Sequence, residues 1–203
     1  MYISNISGDI MNANGIKEDL RIIKTKRALI DAFGKMMQEQ PYEKLTVNEL
    51  CDRAGVRRAT FYKHFKDKND FLIYLIKEDR DSFKDKKWQG KSCYSPDYFI
   101  SYISNLVENL AKNSALVENL MSSSAKHVFM ECLISQNHAD TLAIFQEAEI
   151  RGEPIIASSE NLASMFIGGI AVVIYNWCRA GMVQPKEELI AELSSIISSI
   201  MPE

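Results

Sequence analysis

The chain has 203 residues, of which 46% are hydrophobic, so it is long and apolar enough for one large domain or two small ones with a real core. Its formal net charge of −3 does not exclude nucleic acid as a partner, because residues 17–87 carry 18 Lys and Arg against 13 Asp and Glu, whereas residues 88–203 carry 6 against 13. The 4 cysteines form no CxxC pair, and GxSxG, P-loop, GxGxxG and HExxH patterns are absent from the sequence, so neither an enzyme nor a cofactor or metal site is expected.

The N-terminal segment 1–16 is polar and rich in Asn and Ser, and we predict a disordered arm there. Residues 1–15 contain no Lys or Arg and no long apolar run, so a secretory signal is not expected and a cytoplasmic location is. The first helix is predicted from about Glu18 to Gln38, with an apolar stripe at helical spacing. Pro41 closes the connection to the next element.

A helix-turn-helix is predicted next along the chain. Thr46 followed by Glu49 predicts a capping box, in which the Thr46 hydroxyl accepts the Glu49 amide and the carboxylate reaches back to the helix start. Gly55 stands where this helix must stop and the chain must turn sharply, a position that favours a residue tolerant of positive φ. In a helix-turn-helix, the second of the two crossed helices enters the major groove of DNA.

The second helix of this unit is predicted to turn its polar side chains outward, because Val56, Phe61 and Phe65 fall on the side that faces the core. The outward set comprises Arg57, Arg58, Thr60, Tyr62, Lys63 and His64. Arginine can reach guanine edges, the threonine methyl can meet thymine, and tyrosine, lysine and histidine can hold phosphates. Cations on a short helix are often only solvated residues. The cap, turn, apolar pattern and cations occurring together in one window favour DNA binding.

A further helix, predicted from Lys68 to about Lys87, would link this unit to the rest of the chain. Asp67 is well placed to cap it, with Asp70 three residues later. Lys68 lies in its first turn, where a cation opposes the helix dipole. Because the same lysine beside a phosphate would act together with the exposed first-turn amides, this conflict indicates a phosphate contact.

Residues 17–87 resemble the DNA-binding domain of the tetracycline-repressor (TetR) family of bacterial transcription regulators. The matching runs are Leu45-Thr46-Val47, Ala54-Gly55-Val56, Thr60-Phe61-Tyr62-Lys63-His64-Phe65, Lys68 and Phe71. The resemblance implies phosphate contacts for Thr46, Tyr62, His64 and Lys68. It implies that five side chains face the major groove, namely Arg57, Arg58, Ala59, Thr60 and Lys63.

Two positions depart from the family's pattern. The family usually has a small hydroxyl residue where Arg57 stands, and often a glycine where Ala59 stands. Arg57 cannot cap the helix as a hydroxyl does, so two roles stay open for it, base reader and phosphate clamp.

Residues 88–203 are predicted to form a second helical domain, to which the resemblance assigns effector binding and dimerisation. The candidate helices are 96–112, 115–122, 124–136, 138–149, 158–180 and 186–201. No alternating strand pattern competes with them. The expected fold is therefore all-α, with an N-terminal three-helix domain followed by this C-terminal helical domain.

The segment Met165 to Tyr175 has no polar side chain before its final tyrosine, but a membrane span needs about twenty apolar residues. A buried helix is therefore favoured, and no membrane is expected as a partner. Two apolar C-terminal helices from each subunit are able to form a four-helix bundle across a two-fold axis, as in the resembled family. Packing within one chain is the alternative. The predicted interface residues are Phe166, Gly168, Gly169, Val172, Leu189, Leu193, Ile196, Ile197 and Ile200.

Large and partly polar side chains of the C-terminal domain (residues 88–203, the rear domain) supply a candidate effector pocket. Residues 17–87 are called the front domain. In the resembled family a small molecule there usually tilts the linking helix and changes the separation of the two DNA-binding heads. The candidate residues are Tyr98, Phe99, Tyr102, His127, Phe129, Met130, Tyr175 and Trp177. Aromatic residues at helical spacing are more often core than ligand contacts, so ordinary core packing is the alternative.

The resemblance implies a homodimer that binds an inverted-repeat operator in double-stranded DNA and acts as a repressor. The rear sequence is also similar to the subgroup related to dihydroxyacetone-kinase regulators, in which the signal can be a protein instead of a small molecule. That similarity lies in Phe166-Ile167-Gly168-Gly169-Ile170, Trp177 and Gly181. Two other classes stay open. One is a helical interaction module that no longer binds DNA, and the other is an enzyme or metal sensor that uses His127, Cys132 and His138.

Overall fold

The structure is a computed structural model that describes residues 20–82 and 93–201. Within these ranges the secondary structure is helical throughout, as the sequence predicted. The helices are α1 (Leu20–Glu39), α2 (Val47–Ala54), α3 (Arg58–His64), α4 (Lys68–Ser82), α5 (Pro96–Lys112), α6 (Ser114–Met121), α7 (Lys126–Ile150), α8 (Ser159–Arg179) and α9 (Lys186–Ile200), with a 3-10 turn at Tyr42–Lys44 between α1 and α2. The predicted arm 1–16, the start of the first helix at Glu18 and the domain boundary at 87/88 lie outside the described residues.

One pair of predicted helices is wrong. Residues 124–136 and 138–149 do not form two helices, because α7 runs unbroken from Lys126 to Ile150. The polar run 136–138 contains neither proline nor glycine, so nothing in it removes a backbone hydrogen bond or favours a turn. Asn137 in that run accepts a hydrogen bond from the Tyr102 hydroxyl of α5, so its polarity reflects a contact between helices and not a break.

Aromatic rings form the core under α3. Phe61 of α3 and Phe65, which directly follows α3, are buried. Phe71 of α4 lies against both rings, at centroid separations of 5.9 and 4.9 Å. Phe33 of α1 packs edge-on against Phe71 at 5.7 Å. Ring pairs at these separations add to the free energy gained from burying their apolar surface. α3 is therefore held by its underside, and its opposite side is left outward.

The rear helices share one continuous apolar core with the front helices. Buried side chains connect Leu29 of α1 to Met201 beyond α9. α7 packs on α8, α5 packs on α9, and α4 packs on α7. The linking helix α4 is thus in direct contact with a rear helix, which connects the two parts mechanically.

Asn119 of α6 forms a second connection between rear and front. Its side-chain nitrogen donates to the carbonyl oxygens of Met37 and Gln40, each at 2.8 Å, and its oxygen accepts the Tyr42 backbone N–H at 3.0 Å. Glu43 lies beside this cluster and accepts the Ser124 backbone N–H at 2.7 Å, and that bond is the main reason that the pKa of Glu43 is lowered. The turn between α1 and α2 is therefore held by α6 and by the residues that follow it.

Candidate nucleic-acid interface and effector cleft

The start of α2 confirms half of the predicted capping box. The Glu49 backbone N–H donates to Thr46 Oγ1 at 3.2 Å, with Thr46 in an extended backbone conformation. The Glu49 carboxylate does not reach back to the helix start. It accepts instead from Gln40 Nε2 at 3.0 Å and from Arg53 at 2.9 Å, and the bond from the charged Arg53 is stronger than one from a backbone amide.

The end of α2 is a glycine turn, as the sequence predicted. Gly55 has φ 64° and ψ 28°, a left-handed conformation that costs a residue with a Cβ. The Gly55 N–H donates to Asp52 O at 3.2 Å, and the Val56 N–H donates to Cys51 O at 2.9 Å. These two bonds form a Schellman motif, which turns the chain directly into α3.

The polar side of α3 is exposed as predicted. Arg57, Arg58, Ala59 and Lys63 are exposed, and Tyr62 is 51% exposed with its ring edge-on to the buried Phe61 at 5.5 Å. Thr60 and His64 are partly exposed, and so lie at the margins of this surface. We call the surface formed by Arg57 to His64, without Phe61, the recognition face.

Arg57 occupies the capping position of α3 without a side-chain capping bond, as its length predicted. Its carbonyl oxygen accepts the Thr60 and Phe61 N–H groups at 2.8 and 3.2 Å, so the backbone starts the helix and the guanidinium is left to project. Asp67 caps the next helix as predicted, since its Oδ1 accepts the Asn69 and Asp70 N–H groups at 2.8 Å each. Asp70 Oδ2 accepts the Lys66 N–H at 2.9 Å, so the two aspartates cap the helix reciprocally, with Asp70 reaching the residue before the N-cap.

The Lys68 ammonium was predicted to contact a phosphate, but in the structure it is bonded within the protein. Its Nζ donates to the carbonyl oxygens of Tyr42, Glu43 and Leu45 at 2.9, 3.3 and 3.0 Å, and lies 4.4 Å from the centre of the Tyr42 ring. A lysine has three N–H donors, so none is left for a phosphate in this arrangement. Burial lowers the pKa of Lys68, against the opposing effect of Glu43. The cation at the start of α4 is therefore explained by the carbonyls of the preceding turn.

Tyr42 completes this contact between the turn and α4. Its ring is buried, and its hydroxyl donates to Asn69 Oδ1 at 2.6 Å. Burial, followed by the nearby Asp67 and Glu43 carboxylates, raises the pKa of Tyr42. The hydroxyl is thus a neutral donor at physiological pH, and α4 is tied to the turn that precedes the helix-turn-helix.

A cleft opens between α5, α7 and α8 in the rear domain. It encloses a cavity of about 50 Å³ and, with the open space at its mouth, about 540 Å³ of empty volume. Three of the predicted pocket residues line it, Phe99, Tyr102 and Met130. Its other lining residues are Ile103, Leu106, Leu133, Ile134, Asn137, Thr141, Phe166, Ile167, Ile170, Ala171 and Ile174.

Five predicted pocket residues lie outside this cleft. Trp177 donates to Gln184 O at 2.9 Å and closes the α8–α9 connection, Phe129 is buried, and Tyr98 packs against the neighbouring Phe99 ring. His127 is exposed and Tyr175 lies under the Arg179 guanidinium. The sequence did not separate these five from the cleft-lining residues, because helical spacing does not say which neighbouring helix a side chain faces. Asn137 and Thr141 were missed, although they lie one helical turn apart on α7.

His127, Cys132 and His138 are not brought together as a cluster. His127 is exposed, Cys132 is buried, and the His138 ring nitrogen lies 3.0 Å from Ser164 Oγ. Burial raises the pKa of the Cys178 thiol, the cysteine of α8, to about 11. Within residues 20–82 and 93–201, three or more His, Cys, Asp or Glu side chains are nowhere grouped for a metal ion.

The residues predicted at a dimer interface divide into two groups. Leu189, Leu193 and Ile197 are buried inside the chain, where α9 meets α5, and Phe166 packs against Phe99 in the cleft at 4.7 Å. Their placement in an interface is therefore wrong. The opposite sides of α8 and α9 are uncovered and apolar. They expose Met165, Gly169, Val172, Val173, Ile196 and Ile200.

Gly168 and Gly169 make no close approach inside the described part of the chain, since a Cβ added to either would meet no atom within 4 Å. In the same part, α8 has the length and apolar composition of a membrane-crossing helix, a property that it shares with core helices of soluble proteins. Of the apolar window in α8, 28% is buried within the described chain, on the side that packs on α7 and lines the cleft.

Comparison with known families matches both parts of the chain. Residues 26–75, from within α1 to α4, match the family described as bacterial regulatory proteins, tetR family. Residues 97–199, from α5 to α9, match the transcriptional regulator C-terminal region. The described helices are therefore almost entirely within the two matches.

Similar curated proteins are HTH-type transcriptional regulators of Staphylococcus aureus. One from strain bovine RF122 / ET3-1 is 26% identical over 120 residues, covering 58% of this chain and 65% of the relative. One from strain USA300 is 29% identical over 108 residues, covering 52% and 58%. The matched region thus spans less than two thirds of the length of these relatives.

Similar solved structures share the fold over most of the chain. The dihydroxyacetone kinase operon activator DhaS has a TM-score of 0.64 at 16% identity, covering 88% of this chain and 97% of its own. A TetR-family regulator from Syntrophomonas wolfei has 0.68 at 16%, covering 87% and 94%. The regulator FadR from Bacillus subtilis, solved with stearoyl-CoA, has 0.63 at 21%, covering 86% and 98%. At these identities the likeness shows the fold.

Proposed function

This chain belongs to the tetR family of bacterial regulatory proteins, which are transcriptional regulators and not enzymes, and we propose that it represses transcription by binding an inverted-repeat operator as a homodimer in the cytoplasm. The observation that carries this proposal is the recognition face, which a glycine turn and a buried aromatic underside hold outward. A short helix presented in this way fits the major groove of DNA.

The contacts proposed with DNA follow from exposure and chemistry. Arg57, Arg58, Ala59, Thr60 and Lys63 face the base edges and the groove walls, where an arginine fork can recognise guanine. Phosphates on either side are held by Thr46, Tyr62 and His64, with Tyr62 anchored on Phe61. Lys68 is not among the proposed contacts, because its donors are used within the protein.

The proposed dimer is formed through the uncovered sides of α8 and α9. Met165 and Val172 are 78% and 59% exposed, and Ile196 and Ile200 project from α9. Exposed apolar side chains on two long helices are typical of a surface that another chain covers. Gly169 lies on the exposed side of α8 with no neighbour within 4 Å of a Cβ position, which leaves room for a partner helix. A two-fold axis there would place two recognition faces in successive major grooves.

The proposed control is by an effector in the cleft between α5, α7 and α8. α7 lines the cleft and also packs on the linking helix α4, so a displacement of α7 reaches the front domain directly. The Asn119 contacts give α6 a second route to the turn at Tyr42. An effector that binds one arrangement of these helices better than the other would change operator affinity by that difference.

Selection of random DNA duplexes by the purified full-length protein tests the DNA-binding proposal. We expect an inverted repeat with half-sites about one helical turn apart, and an affinity that falls with rising salt. Lys63→Ala should weaken binding and reduce its salt dependence, whereas Lys186→Ala, a lysine in the first turn of α9, should not. Selection of unrelated sequences, or binding that does not depend on salt, would contradict the proposal.

In vitro transcription from a promoter that carries the selected site tests the direction of regulation. A dimer that occupies one face of the promoter should lower transcript yield by excluding RNA polymerase. Because the fold neighbour DhaS is described as an operon activator, transcript yield that rises with bound protein would assign this chain to activation instead.

A further inference from the structure

The effector cleft contains a buried hydroxyl group that the protein does not pair. Thr141 of α7 lines the cleft and is only 5% exposed. The Thr141 side chain makes no hydrogen bond to any of the residues that the structure describes, although most buried polar groups in proteins have a partner. An unpaired buried hydroxyl destabilises the protein that contains it, which indicates that another molecule supplies the partner.

A second polar group lies beside this hydroxyl. Asn137 is one helical turn before Thr141, so the two side chains share a face of α7 at a Cβ separation of about 5–6 Å. The oxygen of Asn137 accepts the Tyr102 hydroxyl, which fixes the amide and leaves its nitrogen to donate. Asn137 and Thr141 therefore present two donors to one oxygen atom placed between them.

Apart from the Tyr102 hydroxyl, which donates to Asn137, the rest of the lining is apolar, and it carries no charge. Phe99, Phe166, Ile170 and Ile174 are among its side chains, and no Lys, Arg, His, Asp or Glu contributes to it. A carboxylate or phosphate would lose its hydration in this cleft without meeting a cation, which is strongly unfavourable. A neutral oxygen would satisfy the two donors without that penalty.

We propose that the effector is a neutral and mainly apolar molecule with one carbonyl or hydroxyl oxygen, and that Asn137 and Thr141 bind this oxygen. This inference rests on the proposed function. The enclosed cavity of about 50 Å³ is well below the usual range of about 300–1,000 Å³ for ligand pockets. The effector is therefore small, with its apolar body between the Phe99 and Phe166 rings and the isoleucines of α8.

The same isoleucines connect the ligand to the proposed dimer surface. Ile170 and Ile174 line the cleft from α8, while Val172 between them projects from the exposed side of that helix. An apolar body inserted against the isoleucines displaces α8 as well as α7. The ligand thus acts on both helices that determine how the two recognition faces are spaced.

Isothermal titration of the full-length protein with three probes of equal carbon number tests the ligand class. We expect methyl hexyl ketone and octanol to bind, and octanoate at neutral pH to bind at least about tenfold more weakly, because only the last carries a charge. Equal or tighter binding of octanoate would overturn the proposal, and so would the absence of binding by both neutral probes.

Thr141→Val keeps the side-chain shape and removes the hydroxyl. We expect the ketone to bind about 3- to 12-fold more weakly, and the unliganded variant to melt at a higher temperature because the unpaired hydroxyl is gone. Thr25→Val on α1 is the matched control, because that hydroxyl is already bonded to Arg21 O at 2.8 Å and lies far along the chain from the cleft. A lower melting temperature for Thr141→Val with unchanged ketone affinity would show a purely structural hydroxyl.

DNA binding measured on the same samples separates this inference from the regulator proposal. Operator binding without binding of either neutral probe overturns the ligand class and leaves the regulator intact. Ketone binding that depends on Thr141, in a protein that selects no DNA sequence, supports the ligand site and overturns the regulator proposal.

Discussion

Replacing Lys68 by methionine tests whether this residue holds the protein together or holds DNA. The methionine keeps most of the apolar length of the side chain and removes the ammonium. In the structure that ammonium donates to three carbonyl oxygens, of Tyr42, Glu43 and Leu45, at 2.9 to 3.3 Å. These carbonyls belong to the turn from which α2 starts, so the substitution releases the helix-turn-helix from α4.

The expected loss of stability follows from the three bonds. A bond within a protein contributes about 0.5–1.5 kcal/mol net, and more when one partner is charged. Part of that gain is offset because burial of the ammonium is unfavourable, as its lowered pKa shows, and because water reaches some of the carbonyls after the change. We therefore expect a loss of about 2–3 kcal/mol, which corresponds to a fall of about 1 M or more in the urea midpoint.

Urea unfolding and the salt dependence of operator affinity distinguish the two roles. For Lys68→Met we expect the lower midpoint with an unchanged slope of log affinity against log salt. Lys63→Met is the matched control, because Lys63 is exposed on the recognition face. It should leave the free energy of unfolding within about 0.5 kcal/mol of its original value and reduce the salt slope by about 1. A Lys68→Met protein with an unchanged midpoint and a slope reduced by about 1 would refute the structural role and restore the phosphate contact.

Other changes address the remaining surfaces. Arg58→Ala should cost about 1–3 kcal/mol on the selected operator and relax one base position, as measured by competition with single-base variants; an equal loss on every variant would mean that it contacts only phosphate. Asn119→Ala removes three bonds between α6 and the front domain, so the effector-induced change in operator affinity should shrink while ketone affinity stays the same, and an undiminished change would exclude this route. Val172→Asp should convert the dimer to monomer in analytical ultracentrifugation, whereas Ile156→Asp, at a still more exposed apolar site between α7 and α8, should not. Iodoacetamide at neutral pH should label the partly exposed Cys93 before the three buried cysteines in the folded protein, and equal labelling rates would contradict their burial.

The positions of the caps and the turn follow from short stretches of sequence. The Thr46 bond to the Glu49 amide, the left-handed Gly55 and the reciprocal Asp67–Asp70 cap each involve residues no more than four apart. Their energies depend on the local backbone and hardly on the rest of the protein. For the same reason, the spacing of Val56, Phe61 and Phe65 was enough to predict which side of α3 is exposed.

The partners of long side chains were decided by the tertiary structure. The Glu49 carboxylate prefers Arg53 and Gln40 to the helix start, and the Lys68 ammonium reaches carbonyls more than twenty residues earlier in the chain. A flexible side chain selects among all donors and acceptors within its reach. Sequence spacing specifies only those on the same helix.

The rear domain shows the same division on a larger scale. An apolar stripe predicts that a helix packs on something, and the stripes of α8 and α9 were visible in the sequence. Which side meets α5 or α7, and which is left uncovered, depends on how the helices cross, so Leu193 is buried while Ile196 is exposed. The sequence alone therefore determined that these segments are helical and which side of α3 is exposed, because both depend on interactions between residues close together in the chain. The cleft with Asn137 and Thr141, the uncovered dimer surface and the Asn119 connection exist only once helices distant in the chain have packed together.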